Sequence, residues 1–231
     1  MRDTDNQYAA FVSEFQANLA MLPRPGRTPH AVECIHNGVD TDFWTPGDTD
    51  RTIDVLWTAR TDPEKGIGVA IDLVPILCSN GLNYVMVTSE PDGPRQRLLD
   101  LEREFPTFRY LSRLSPVDLR EMYRRSKIFI QTSSVEGMPA TPLEAAACGC
   151  WPLCSAVDGV QEVFEDAPFH LIDPPFAATK FAACITEAIE YIRSEYRNDA
   201  RQLVLDHYSV ANMVNGYIDL YERMAACGKT T

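Results

Sequence analysis

The sequence lacks the features that would place it in a membrane or on a nucleic acid. It has no run of eighteen apolar residues, which a membrane-spanning helix needs. Its first residues, M-R-D-T-D-N-Q-Y, contain acids and no apolar stretch typical of a signal peptide. Lysine and arginine total 21 against 33 aspartates and glutamates, a net charge of −12. Because a polyanion is bound by an excess of cations, we expect no nucleic-acid partner. We also expect no membrane contact by this domain, and the lack of a signal peptide predicts a cytoplasmic location.

Two common nucleotide-binding motifs are also missing. No G-x-G-x-x-G follows the first strand of the predicted sheet, and no G-x-x-x-x-G-K-[S/T] occurs anywhere in the chain. These glycine loops let a backbone approach the phosphates of dinucleotides and of nucleoside triphosphates. A dinucleotide site of that type is therefore disfavoured.

The seven cysteines do not form a recognisable metal or redox motif. Only C-G-C-W-P-L-C is clustered, and its spacing is neither that of a zinc ribbon nor that of a redox C-x-x-C. Cys148 and Cys154 fall on apolar segments, where free cysteine behaves as a small hydrophobic residue. The sequence therefore predicts buried, reduced thiols and no metal site.

Predicted strands and helices alternate from about residue 32 to about residue 195. Because the strands are apolar without interruption by polar positions, they are typical of a parallel sheet covered on both faces. The fold class is thus predicted to be α/β, a doubly wound, Rossmann-like parallel sheet of about six strands. Helices at 181–193, 199–208 and 210–224 are predicted to finish the chain. The candidate strands are at 32–35, 54–58, 83–87, 108–111, 127–131, 151–155 and 170–172.

The stretch from Ser133 to Gly159 is the most informative part of the chain. A strand ends in small polar residues, and two glutamates, Glu136 and Glu144, follow with a glycine and two prolines between them. The second glutamate lies in an alanine-rich segment that predicts a helix, and a helix start beside a glycine loop is an anion site. The carboxylates are then suited to accept hydrogen bonds from sugar hydroxyls. The alternative is that Glu136 is a solvated loop acid and Glu144 a first-turn partner of the helix dipole.

Arg60 and Lys65 follow another predicted strand, 54–58, with Gly66 next to the lysine. A guanidinium binds phosphate oxygens in pairs and an ammonium adds a point charge, so the two cations are suited to clamp a diphosphate. Gly66 would allow close approach of the backbone. The alternative is that Arg60 is an ordinary surface arginine paired with Asp62 or Glu64.

These residues resemble the retaining glycosyltransferases of the GT-B fold, the group 1 or family 4 class. Glu136 to Glu144 matches the E-x7-E motif, preceded by S-S and followed by L-E-A-A-A-C-G. The segments N-G-V-D with Phe43 and D-G-V-Q-E also match. The resemblance implies that Glu144 binds the ribose hydroxyls and that Glu136 lies near the donor hexose. It also implies that backbone N–H groups at Gly137, Met138 and Ala140 face sugar and phosphate.

The resemblance extends to two further loops, with departures. Arg60 and Lys65 fall on the G-R-x(n)-K-G signature, with Ala59 in place of the first glycine. The loop against the nucleobase matches Ser112, Arg113 and Leu114, where Ser112 replaces a glycine, and residues 89–93 replace the family's glycine-rich loop. His36 stands where the family commonly has proline, so no catalytic role is predicted for it. The implied catalytic residues are Arg60, Lys65 and Glu136.

The resemblance further implies that the chain is one half of a GT-B enzyme. The expected reaction is transfer of a sugar, with retention, from a nucleoside-diphosphate sugar to a glycan or lipid-linked acceptor, without metal or cofactor. Residues 1–30 would be a remnant of an acceptor-binding domain or a linker, 31–195 the nucleotide-sugar-binding domain, and 196–231 helices packed on it or toward the other domain. A separate polypeptide supplying the N-terminal half, and peripheral membrane contact of the full enzyme, are left open.

Two other functions fit the same residues. A sugar-nucleotide epimerase or hydrolase of the GT-B fold would use a similar donor pocket. A non-catalytic nucleotide-binding module would keep the fold without the chemistry. Because the acceptor half is expected to lie outside this chain, the chain alone is predicted to be inactive in transfer.

Overall fold

The fold is described from a computed structural model, over residues 8–20, 31–88, 94–164, 170–194 and 199–227. Its main element is a six-stranded parallel sheet in the order β5-β4-β3-β6-β7-β8. The strands are β3 Ile53–Ala59, β4 Tyr84–Thr88, β5 Phe108–Ser112, β6 Ser126–Gln131, β7 Trp151–Ser155 and β8 His170–Ile172. The predicted doubly wound α/β sheet of about six strands is confirmed.

Helices follow the strands and cover both faces of the sheet. They are α2 Ile67–Ser79, α3 Arg95–Glu104, α4 Pro116–Arg125, α5 Ala140–Ala147, α6 Asp158–Phe164, α7 Ala178–Ser194, α8 Asp199–His207 and α9 Val210–Cys227. Along β3, Val55 and Trp57 pack into one hydrophobic core, and Leu56 between them packs into a second core on the opposite face. This two-sided burial is the reason why the central residues of the strands are apolar on both faces. None of the helices in these ranges is long and apolar enough to cross a membrane.

A second, smaller sheet precedes the main one. Strand β1, Tyr8–Phe11, leads into helix α1, Glu14–Ala20, and pairs in parallel with strand β2, Ala31–Cys34. The predicted strand at 32–35 therefore forms, but the prediction that the sheet starts there is corrected. In the described residues β3 pairs with β4 and β6, whereas β2 pairs with β1 in the separate sheet.

The order of the strands indicates where a ligand would bind. The chain runs outward from β3 through β4 to β5, then returns to β6 on the other side of β3 and continues to β8. The switch in direction lies between β3 and β6, which pair from Ile53↔Ser126 to Trp57↔Ile130. Ligands of doubly wound sheets bind outside the carboxyl ends of the strands at such a point. Ala59 and Gln131 mark those two ends.

Candidate functional site

A cavity of about 260 Å³ opens at the carboxyl ends of β3 and β6. Its walls come from the end of β3, the loop before α2, the end of β6 and the start of α5. Five of the predicted site residues line it, and they come from two segments more than seventy positions apart in the chain. The residues that line it are 57–60, 65, 131–133, 136 and 138–141.

Lys65 and Glu136 meet on the wall of this cavity. The Lys65 Nζ lies 2.7 Å from Glu136 Oε1, and the two side chains are only 22% and 14% exposed. Arg60 also lines the cavity, yet its Nη1 lies 3.0 Å from Asp62 Oδ2, the partner that the surface alternative anticipated.

One oxygen of the Glu136 carboxylate, Oε1, accepts from two donors. Besides the lysine, it accepts a hydrogen bond from the Ser133 hydroxyl at 2.8 Å. The backbone of the same loop is fixed by Gly159, whose N–H donates to the Glu136 carbonyl at 3.3 Å. Glu136 is therefore a positioned acceptor on the cavity wall and not a solvated loop acid. Sequence reasoning missed the role of Ser133, although the S-S pair was visible.

Gly66 brings the cation loop against the end of β6. Its φ is 68°, and a Cβ at this position would lie 1.9 Å from the Thr132 carbonyl oxygen. The Thr132 hydroxyl donates to the Lys65 carbonyl at 2.9 Å and accepts from Trp57 Nε1 at 2.9 Å. A residue without a side chain is needed here because the two backbones touch. This is the close approach that the sequence predicted for Gly66.

Helix α5 begins on the cavity wall. Ala140 and Thr141, its first two residues, line the cavity, and Pro139 precedes them without a side-chain cap. The positive end of the helix dipole and the first N–H groups of the helix are therefore at the cavity. At the other end, Arg201 Nη1 donates to the Ala147 carbonyl at 2.6 Å, and Arg51 Nη2 to the Cys148 carbonyl at 3.0 Å.

Glu144 lies one helical turn after Ala140 and on the same face of α5. The helix has no acid in its first turn, so the alternative role of Glu144 as a first-turn dipole partner is wrong. Burial raises the pKa of its carboxyl to about 7, and a hydrogen bond from the Tyr123 hydroxyl opposes that rise. The same hydroxyl lies 3.4 Å from the Thr58 hydroxyl, which is at the cavity. Tyr123 thus joins Glu144 to the cavity wall, a contact that the sequence did not indicate.

The remaining predicted donor residues lie outside the lining. A Cβ on Gly137 would be 2.1 Å from Gln16 Nε2, so this glycine faces α1, although its neighbour Met138 lines the cavity. Ser112, Arg113 and Leu114 follow β5, two strands from β3, and Arg113 has a φ of 51°. Residues 89–93 lie outside the described residues. The donor-binding roles of Gly137 and of the loop after β5 stay predictions.

The predicted reduced thiols agree with the structure. All six cysteines whose side chains are described are free, and Cys148, Cys150 and Cys154 are buried. Burial raises the pKa of Cys148 and Cys150 to about 12, so these thiols are protonated. They pack as small apolar side chains.

Comparison with known proteins identifies the family. The sequence profile of "Glycosyl transferases group 1" matches residues 40–203. The chain is 25% identical, over 93% of its length, to alpha-maltose-1-phosphate synthase of Mycobacterium tuberculosis, and it spans 62% of that protein. It therefore spans less than two thirds of this relative's length.

Solved structures agree on the fold. A glycosyltransferase of Rickettsia africae superposes with a TM-score of 0.80 at 17% identity, covering 97% of this chain and 64% of that one. HepE of Anabaena, solved with UDP and glucose, superposes with a TM-score of 0.73 at 16% identity over 94% of this chain and 62% of that one. The family match favours a glycosyl transferase over the epimerase and the binding module. With its sheet, its E-x7-E loop and the family match over most of its length, the chain belongs to the group 1 glycosyl transferases.

Proposed function

We propose that this chain binds a nucleoside-diphosphate sugar and is the donor-binding half of a retaining glycosyltransferase. The observation that carries the proposal is the contact of Lys65 with Glu136 on the wall of one cavity. A cation for the diphosphate and a carboxylate for the sugar are thereby brought together at the switch point of the sheet. Family membership supports the assignment of the donor class.

The cations and the start of α5 would receive the diphosphate. During transfer, the bond from the anomeric carbon to the diphosphate breaks, and negative charge gathers on the departing phosphate oxygens. Lys65 and the N-terminal end of α5 would stabilise that charge with little rearrangement, which lowers the barrier, and Arg60 on the same cavity wall would add a second cation. An ammonium has three N–H donors, so Lys65 can keep its bond to Glu136 and still bind a phosphate oxygen. We propose that no metal ion is needed at the diphosphate.

The two glutamates would orient the sugars. Glu136, held by Lys65 and Ser133, is placed to accept from hydroxyls of the hexose. Glu144 would accept from the ribose hydroxyls beside Thr58. We assign Glu136 to orientation of the hexose and not to attack on it, since its carboxylate is already engaged by two donors.

The acceptor and the remaining half of the cleft are proposed to lie outside these residues. The chain spans about three fifths of the curated relative that it matches. Alpha-maltose-1-phosphate synthase is named for a phosphorylated sugar product, and HepE was solved with UDP and glucose. We propose a glycan or lipid-linked acceptor, bound mainly by another domain.

Calorimetric titration of the chain tests the proposal. UDP, GDP and ADP are titrated first, followed by the sugar nucleotides of the base that binds, with the matching nucleoside as a control that lacks phosphate. We expect one diphosphate to bind and Lys65→Ala to weaken it by about tenfold or more, since one charge-assisted hydrogen bond is removed. Lys180→Ala, which removes a lysine bonded to the Asp173 carbonyl, is the matched control.

The proposal fails if no nucleoside diphosphate binds, or if Lys65→Ala binds it as tightly as the wild type does. Once a donor is known, product analysis with and without acceptors separates transfer from hydrolysis and epimerisation. The anomeric configuration of the product, read by NMR, tests retention. Net transfer by this chain alone would contradict the assignment of the acceptor to another domain.

A further inference from the structure

Three side chains that commonly ligate metals converge away from the donor cavity. Cys34 ends β2, His36 follows two residues later, and Glu162 lies on α6. The Cys34 Sγ is 3.6 Å from His36 Nε2 and 3.7 Å from Glu162 Oε1, and His36 Nε2 is 2.7 Å from Glu162 Oε1. None of the three lines the cavity at the end of β3.

The geometry of this cluster differs from that of a proton relay. In a relay, the nucleophile and the acid contact opposite nitrogens of the imidazole, so that a proton passes through the ring. Here the thiol and the carboxylate both contact the same nitrogen, Nε2 of His36. Three different donor atoms therefore surround one point, which is the arrangement of a coordination site.

The separations agree with tetrahedral coordination. Bond lengths of about 2.3 Å for zinc to sulfur and about 2.0 Å for zinc to nitrogen or oxygen place sulfur about 3.5 Å from each of the other two ligands. The observed distances from Cys34 Sγ are 3.6 and 3.7 Å. Nitrogen and oxygen would be about 3.3 Å apart around the metal. In the structure, His36 Nε2 and Glu162 Oε1 share a hydrogen bond at 2.7 Å. Only a small separation of these two atoms is therefore required for a metal to bind between them.

We propose that Cys34, His36 and Glu162 form a site for a divalent cation of the zinc type. A thiolate and a carboxylate carry two negative charges, which neutralise the ion, and mixed sulfur, nitrogen and oxygen ligands are those that zinc accepts. Binding would release the Cys34 thiol proton to solvent. The side chains of His36 and Glu162 are 32% and 18% exposed, so an ion can reach the site and water can occupy a fourth position.

Neighbouring groups already fix the proposed ligands. The Glu14 backbone N–H donates to Glu162 Oε1 at 2.9 Å, and the Tyr208 ring packs edge-on against the His36 ring with the ring centres 5.3 Å apart. Such outer contacts orient metal ligands and raise affinity. The ion would tie β2 to α6, whose Gly159 packs on the Gly137 carbonyl in the donor loop. It would thereby hold the small sheet and α1 on the donor-binding domain.

Metal titration of the chelator-treated chain tests this site independently of any donor. Zinc is titrated in competition with a chromophoric chelator, and cobalt is added as a spectroscopic probe of thiolate ligation. We expect one zinc per chain, a thiolate-to-cobalt charge-transfer band and a metal-dependent rise in Tm. Cys34→Ser, His36→Gln and Glu162→Gln should each lower the affinity at least about tenfold. Cys184→Ser, which replaces another half-buried thiol, should leave the affinity unchanged.

Circular dichroism of the metal-free variants shows whether they are folded. If a variant does not fold, the cobalt spectrum of the wild type decides, since a bound thiolate gives its band without any mutation. The proposal is overturned if the wild type binds no stoichiometric zinc or gives no thiolate band. It is equally overturned if folded Cys34→Ser and His36→Gln bind zinc as the wild type does.

Discussion

Replacing Glu144 by glutamine should make the stability of the free protein less dependent on pH. Burial raises the pKa of this carboxyl from its ordinary value of 4.5 to about 7. Between those two values the native state holds a proton that the unfolded state has lost. Stability therefore falls as the pH rises from about 4.5 to about 7, and the loss is complete above that range.

The size of the effect follows from the shift in pKa. One pKa unit corresponds to about 1.4 kcal/mol, so a rise from 4.5 to about 7 costs the native state about 3 kcal/mol at pH 8. Glutamine has nearly the same shape, keeps a carbonyl acceptor for the Tyr123 hydroxyl and carries no charge. The free energy of unfolding of Glu144→Gln, minus that of the wild type, should thus increase by about 3 kcal/mol between pH 4.5 and pH 8.

Urea denaturation of both proteins at a series of pH values measures this difference. Any pH-independent effect of the substitution is a constant offset, and the titration of the histidines is common to both proteins. Glu190 is an exposed glutamate on α7, and Glu190→Gln is the control that measures how the loss of an ordinary surface carboxylate changes the free energy of unfolding. A difference between Glu144→Gln and wild type that stays flat from pH 4.5 to pH 8 would refute the reasoning.

Two substitutions test the backbone contacts that support the site. Gly66→Ala should destabilise the chain by about 3 kcal/mol in urea denaturation, because its Cβ would lie 1.9 Å from the Thr132 carbonyl. Gly68→Ala is the control, because a Cβ there would meet nothing within 4 Å, and it should be no less stable than the wild type. Equal stability of the Gly66→Ala and Gly68→Ala variants would contradict the argument. Arg201→Met should cost about 3 kcal/mol in the same assay, since buried carbonyls, including that of Ala147 at 2.6 Å, lose a charged donor. An unchanged unfolding midpoint would contradict it.

The sequence predicted the strands well because burial on both faces leaves a direct mark. Leu56, Phe129 and Leu153 are apolar between apolar neighbours, and each is fully buried in the central part of the sheet. The pairing partner of a strand has no comparable sequence pattern. The periodicity of residues 32–35 is that of any short strand, and nothing in it shows that the partner is β1 and not β3. Local pattern fixes an element, whereas its neighbour depends on the whole topology.

The site was predictable residue by residue but not as a set of contacts. Lys65 and Glu136 were each expected, from separate motifs, and their contact at 2.7 Å follows only from the adjacency of β3 and β6. Tyr123 resembles a core aromatic on an amphipathic helix, which it also is. Its contact with the site depends on the position of its hydroxyl, which lies between Thr58 and Glu144. These three residues come from three different elements, so no local sequence pattern predicts that they meet.

The E-x7-E loop depends on residues that belong to no motif. Arg51 precedes β3 and Arg201 lies on α8, yet both donate to carbonyls at the C-terminal end of α5. Cations there satisfy carbonyls that the helix leaves open and oppose the negative end of its dipole. The position of the helix start at the cavity is therefore set from its far end. It follows that donor binding should be sensitive to Arg51 and Arg201, although neither lines the cavity, because a shift of α5 moves Ala140 and Glu144 together.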